Sequence, residues 1–242
     1  MMKNSIPALI LILLTACSTA ELNSAMEQIR KSGAGDTLTS SEISNGLKQA
    51  LEKGSEYAVK NGSGNGSFLN NAKIKIPFPP EVQNIQNTLN SMGLSSVNDQ
   101  FVATLNHAAE TATTEAKPVF VDAIRAMTIA DAVSILNGPT DAATQYLKKT
   151  TSSKLRDKFL PIVKNATTKV ELTRYWTPVM NAYNALPLSD SKANPDLNAY
   201  VTQRTLDGLF TLVAEEEAKI RANPVERTTD LLKKVFGSAK VQ

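Results

Sequence analysis

FVATLNHAAETATTEA, residues 101–116, sets Val102, Leu105, Ala109, Ala112 and Ala116 at the spacing of one helical face. Those positions are mostly small, so neighbouring helices can approach closely. Asn106 and Glu110 fall one turn apart on the flank of that face, and His107, the only histidine of the chain, lies between them. Polar groups on the flank of a well-wrapped helix are either a structural hydrogen-bond site or a functional one. A buried carboxylate needs a partner. Arg221, Arg204 and Arg125 are the candidate cations, and Arg221 is preferred because Ile220-Arg221-Ala222-Asn223-Pro224 reads as a helix terminus, where a cation is favoured. Asn106, Glu110 and Arg221 are therefore the candidate polar site.

Working outward, the remaining chain is helical with clear punctuation. Thr39-Ser40-Ser41-Glu42 is a capping box, followed by a stripe of Ile43, Leu47, Ala50, Leu51, Gly54 and Ala58. Gly54 on that stripe predicts close approach of another backbone. Asn61 to Gly66 is a loop by composition. Lys73-Ile74-Lys75-Ile76-Pro77-Phe78-Pro79-Pro80 is the only strand-like alternation, and its prolines confine it to an edge or an extended arm. With no partner strand, it is expected to lie along the helices and bury Ile74, Ile76 and Phe78. Later helices are expected at 81–92, from about 96 to 117, at 119–127 with Pro118 starting or kinking it, and after a Thr128–Asp131 cap. Beyond these, Thr140 caps one helix, Leu155, Phe159 and Val163 mark a separate one bent near Pro161, and an aromatic helix carries Leu172 to Tyr183. A long helix runs from Asn194-Pro195 to Arg221 with Glu215–Lys219 and Glu217–Arg221 paired outward, and a final amphipathic helix carries Leu231 to Phe236. Lys233 and Lys234 of that last helix either touch anionic lipid or flank a face docked on the domain. The fold class is all-α: a single multi-helix, bundle-like domain with one short extended arm at about 73–80.

The N-terminus carries an address. Lys3 precedes the apolar run Ala8–Leu14, which is too short to span a bilayer as a helix. Leu14-Thr15-Ala16-Cys17 looks like a bacterial lipobox, in which the thiol is lipidated and the chain is cut before it; the alternative is an ordinary secretory signal. Cys17 is the only cysteine, so it can form no internal disulfide. Ser18 after it is similar to outer-membrane sorting in Gram-negative lipoproteins. The expected organisation is a signal peptide at 1–16, a lipidated Cys17 and tether at 17–38, a helical domain at 39–237 and a tail at 238–242. The expected location is the periplasmic face of the outer membrane, with the acylated cysteine as the membrane contact and envelope proteins or lipid as further partners.

Composition narrows the function. The chain has 242 residues, 26 basic and 23 acidic, with a net charge of +3 and no basic block interleaved with aromatics, so nucleic acid is not an expected partner. His107-x-x-Glu110 is the reverse of the Glu-x-x-His used twice in di-metal bundles, and one histidine cannot supply two such motifs. No Gly-x-Ser-x-Gly elbow accompanies that histidine, and the Gly-rich loop precedes an arm rather than a helix start. No catalytic residue, metal or cofactor is assigned.

Several motifs occur together: Gly46-Leu47-Lys48-Gln49-Ala50-Leu51, Ile74-Lys75-Ile76-Pro77, Leu105-Asn106-His107-Ala108-Ala109-Glu110 and Ala142-Ala143-Thr144-Gln145-Tyr146. Leu206-Asp207-Gly208-Leu209-Phe210, Ile220-Arg221-Ala222-Asn223-Pro224 and Val235-Phe236-Gly237 follow in the same order. From Leu38 to Gly237 the chain resembles the bacterial family filed as domain of unknown function 4197, found in predicted envelope lipoproteins. The resemblance implies a single helical domain and the envelope address, and brings no activity. An arginine is usual in that family where this chain has His107, which argues against a mechanism needing histidine there. The leading expectation is a lipid-anchored binding or scaffold module. The first alternative is a carrier of a lipid or other apolar ligand, held between the aromatic helix and 101–116. The second is a hydrolase-type enzyme in which Glu110, Asp131 or Asp207 converges with other polar groups in a cleft.

Overall fold

The computed structural model describes residues 38–80, 83–91, 93, 95–169, 176, 181 and 196–238. The signal peptide, Cys17, the tether, the tail from 239 and, apart from Trp176 and Asn181, the aromatic helix lie outside the described residues. Thr39–Gln242 forms one compact unit. Its helices are α1 (Ser40–Ser63), α2 (Gln83–Ser91), α3 (Ser95–Thr113), α4 (Ala116–Ala126), α5 (Ile129–Leu136), α6 (Ala142–Thr167), α7 (Leu197–Ala222) and α8 (Asp230–Ser238), with a 3-10 turn at Pro224–Glu226. No strand occurs among the described residues, and the fold is all-α.

Two helix starts follow directly from the sequence. Thr39 Oγ1 accepts from the Glu42 amide at 3.2 Å, and Glu42 Oε2 accepts from the Thr39 amide at 2.8 Å. Thr128 and Asp131 repeat the arrangement at α5. These bonds hold both carboxyls below their ordinary range. Glu42, helped first by the Lys234 ammonium, is lowered to about 2, and Asp131 is lowered by the Thr128 hydroxyl and amide.

α1 and α7 are the central pair, and α1 also packs against α3, α4, α5 and α8. α1 buries Leu47, Leu51 and Ala58, and α7 buries Leu209, Leu212 and Val213. α8 docks onto α1 through Leu232, Val235 and Phe236, while Lys234 pairs with Glu42 and Lys233 with Asp230. This helix therefore flanks a docked face. A side chain at Gly46 would put its Cβ 2.6 Å from Val235 Cγ2, so that glycine admits α8.

Two expectations are corrected, for α6 and for Gly54, and the alternatives left at Pro118 are decided. α6 is one helix, because its buried column Leu147, Thr151, Leu155, Phe159, Val163 and Thr167 continues through the expected break. Thr150 and Thr151 there donate their hydroxyls to the Tyr146 and Leu147 carbonyls, satisfying themselves inside the helix. Glu115 ends the turn between α3 and α4, so Pro118 sits in the first turn of α4 and begins a helix without kinking one. Gly54 is not a close-approach site. A Cβ there would meet nothing nearer than Val213 Cγ1 at 3.9 Å, and the position borders an apolar cavity of about 20 Å3, enough for one water.

Gly54→Ala is therefore expected to raise stability by about 1 kcal/mol through helix propensity. Gly46→Ala is expected to lower it by displacing α8. Urea unfolding of the two variants measures both, and a loss for Gly54→Ala would contradict the open space described here.

Candidate functional site

The arm expected at 73–80 is present without regular structure, and Ile74, Ile76 and Phe78 are all buried. Buried backbone has to find hydrogen-bond partners. The Ile76 peptide finds them on one side chain. Asn106 Oδ1 accepts from the Ile76 amide at 2.8 Å, and Asn106 Nδ2 donates to the Ile76 carbonyl at 2.8 Å and to the Val102 carbonyl at 2.7 Å. The carboxamide thus answers both backbone groups of one residue, as a neighbouring strand would. One turn along α3, Glu110 Oε1 accepts from the Phe68 amide at 3.0 Å. The spacing that puts Asn106 and Glu110 on one flank lets them hold two points of the same loop.

α7 supplies the opposite wall. A Cβ at Gly208 would lie 2.7 Å from the Phe68 ring and 3.2 Å from Ile74 Cβ, so only a glycine lets this loop lie against the helix. The Tyr200 hydroxyl donates to the Pro77 carbonyl at 3.3 Å, and Lys73 pairs with Glu215 at 2.6 Å. At the end of the arm, Phe78, Phe101 and Trp176 form an aromatic cluster with ring centroids 5.0–5.8 Å apart. His107 reaches Glu110 Oε2 at 3.5 Å, but its ring is 70% exposed and lies outside the clamp.

The third expected site residue is elsewhere. Arg221 bonds Glu217 at 2.9 Å and the Ile135 carbonyl at 3.2 Å; it is not the cation of Glu110, whose protein bond is to the Phe68 amide. Nor is the Glu217–Arg221 pair outward, since the two side chains are 8% and 11% exposed. Glu217 Oε1 accepts from the Ala143 amide and Oε2 from the Thr144 amide and hydroxyl, at 2.7–3.0 Å. It caps α6 from another helix, which replaces the cap expected from Thr140; Asp141 at the N-cap makes no such bond. Arg221 meanwhile meets the carbonyl end of α5. One ion pair thus joins a helix start to a helix end, each with the charge that its dipole favours. Glu216, equally buried, is held by Lys53 at 3.3 Å and Lys219 at 3.4 Å, with the Lys219 ammonium 4.2 Å from the Tyr57 ring centre. The stripe Leu209, Val213, Ile220 carries Glu216 and Glu217 inward at helical spacing. That signal stood in the sequence, beneath the more obvious i,i+4 charge pairs.

The other carboxylates offered to an enzyme are also occupied. Asp131 closes its capping box, and Asp207 accepts from Gln203 at 3.0 Å with Arg204 4.0 Å away. Among the described residues no group of three or more metal-ligating side chains occurs. An open groove of about 490 Å3 runs between α3 and α6, with Ala103, Ile162 and Ala166 below and His107, Asn165 and Lys169 at its rim.

The family described as Protein of unknown function (DUF4197) matches residues 37–237. The chain belongs to that family. No curated protein and no solved structure gives a significant match. Within this DUF4197 domain, the motif around Leu105–Glu110 is the arm clamp, the motif around Gly208 is the wall the arm rests on, and Arg221 of the third motif is the partner of the α6 cap.

Asn106→Leu leaves both Ile76 backbone groups without their partner and is expected to cost about 2–5 kcal/mol, read by urea unfolding; a loss below about 1 kcal/mol would mean the arm is not held there. In double-mutant cycles, Glu217→Gln with Arg221→Gln should show coupling above about 1 kcal/mol, while Glu110→Gln with Arg221→Gln should be additive within about 0.5 kcal/mol. The reverse pattern would restore the Glu110–Arg221 pair.

Proposed function

We propose that the protein is a lipid-anchored helical module of the bacterial cell envelope, with a binding or scaffold role at the periplasmic face of the outer membrane. Cys17 carries the reading: it is the single cysteine, and it follows a short apolar run and small residues at the place where lipidation occurs. Acyl chains on that thiol would anchor the chain through their buried methylenes. Among the described residues no helix is long and apolar enough to cross a membrane, so in this reading the acyl chains make the attachment. The helical unit begins at Thr39, and in this reading residues 17–38 are the tether.

A scaffold role is favoured by how the polar groups of the domain are used. Asn106, Glu110, Glu216, Glu217, Arg221 and Arg227 are spent on internal hydrogen bonds or ion pairs. A carrier needs an enclosed apolar pocket of several hundred Å3. The apolar cavity bordered by Gly54 holds about 20 Å3, and the 490 Å3 groove is open with a polar rim.

Cells expressing the full-length chain and fed an alkyne-tagged palmitate should incorporate label into it, and the protein should fractionate with membranes. Cys17→Ser is expected to abolish both the label and the membrane fractionation. Labelling that persists in Cys17→Ser, or wild-type protein recovered unlabelled in the soluble fraction, would overturn the anchored reading.

A further inference from the structure

α6 is the electrostatic exception of this chain. Between Ala142 and Thr167 it carries six basic residues, Lys148, Lys149, Lys154, Arg156, Lys158 and Lys164, against one acid, Asp157; the remainder of the chain carries 20 basic and 22 acidic residues. α1, of similar length, has three of each. All six cations of α6 are exposed. Lys158 has Glu115 at 3.5 Å, Arg156 has only the neutral Gln203, and no ion pair engages Lys148, Lys154 or Lys164 among the described residues. A cation near a helix C-terminus answers the helix dipole, which accounts for Lys164; Glu115 answers Lys158 and Asp131 lies in the field of Lys149, which leaves Lys148, Lys154 and Arg156 without an opposite charge. Arg156, Leu160 and Lys164 follow one another at four-residue steps, so they lie side by side on one flank of the helix over about 12 Å. Leu160 on that flank is 40% exposed, one of three large apolar side chains in the described residues that remain so open.

We propose that this outer face of α6 docks the domain onto an anionic lipid surface, a reading that rests on the anchored module above. Exposed ammonium and guanidinium groups with few opposite charges match phosphate headgroups, and Leu160 can enter the interface between Arg156 and Lys164. Basic residues near an anionic leaflet each strengthen attachment about fivefold, and salt screens the effect. A nucleic acid is the lesser match. Single-stranded binders stack bases on aromatic side chains, and the exposed face of α6 offers none, since Tyr146 is part-buried with its hydroxyl on the Ala123 carbonyl and Phe159 is buried. The tether supplies proximity to the leaflet, and α6 supplies orientation.

The test uses the chain from Ser18 onward, without the acyl group, so that acylation plays no part. It should co-sediment with vesicles containing about one-third phosphatidylglycerol at about 50 mM salt, should be released at about 500 mM, and should ignore vesicles of phosphatidylcholine alone. The K148E/K154E/K164E variant is expected to partition about 100-fold more weakly. A control of equal charge change, K60E/K117E/K233E, should stay within a few-fold of wild type. K148Q/K154Q/K164Q gives the same comparison without introduced acids. Absence of binding to the anionic vesicles, an equal loss in the control, or tighter binding to an oligonucleotide than to the vesicles would overturn the proposal. None of these results bears on palmitate labelling at Cys17, so the two readings fail separately.

Discussion

A stretch of backbone buried without a partner strand has to be hydrogen-bonded by side chains, and the loop from Phe68 to Phe78 is the stretch that this fold must satisfy. Asn106 answers the Ile76 peptide and Glu110 answers the Phe68 amide. Much else follows from fitting that loop between two helices. α3 carries fully buried alanines at 108, 109 and 112, which let it pack tightly. α7 carries a glycine where Phe68 and Ile74 press against it. The apolar side chains of the loop then complete the core, and the aromatic cluster of Phe78, Phe101 and Trp176 closes its end.

Buried charge is handled in the same way. Glu110 and Glu217 each accept from backbone amides that burial would otherwise leave unpaired, one in a loop and one at a helix start. Arg227 does the converse, donating to the Ile220 and Arg221 carbonyls at the end of α7. The buried ions therefore serve as distant caps and clamps.

What was legible in the sequence is what local chemistry decides. The capping boxes at Thr39 and Thr128, the buried face of α1, and an arm burying Ile74, Ile76 and Phe78 all follow from spacing and residue type. Asn106 and Glu110 were recognisable as a polar lock, because two polar groups flank an otherwise small and apolar face. What they lock was not recognisable, since a backbone amide 42 residues away leaves no mark on composition. Arg221 was assigned to the wrong carboxylate for a related reason: Glu217, one turn earlier, looked like half of a surface pair, and only the stripe through Val213 and Ile220 marks it as buried. The two helices expected from Thr140 to Val163 are one, because the buried column runs from Leu147 through Thr151 to Leu155 and a threonine in that column does not look apolar in sequence.

The cap on α6 has a consequence for how the chain acquires its shape during synthesis. The amides at Ala143 and Thr144 wait for a carboxylate made 74 and 73 residues later. At ordinary rates of 5–20 residues per second, that is a delay of roughly 4–15 s in which the longest basic helix has no cap at its leading end. The Phe68 loop waits longer still for Gly208. The nascent chain thus carries open apolar faces until nearly all of it has emerged, and its interior closes as a late event near the carboxyl end rather than growing steadily from the amino end.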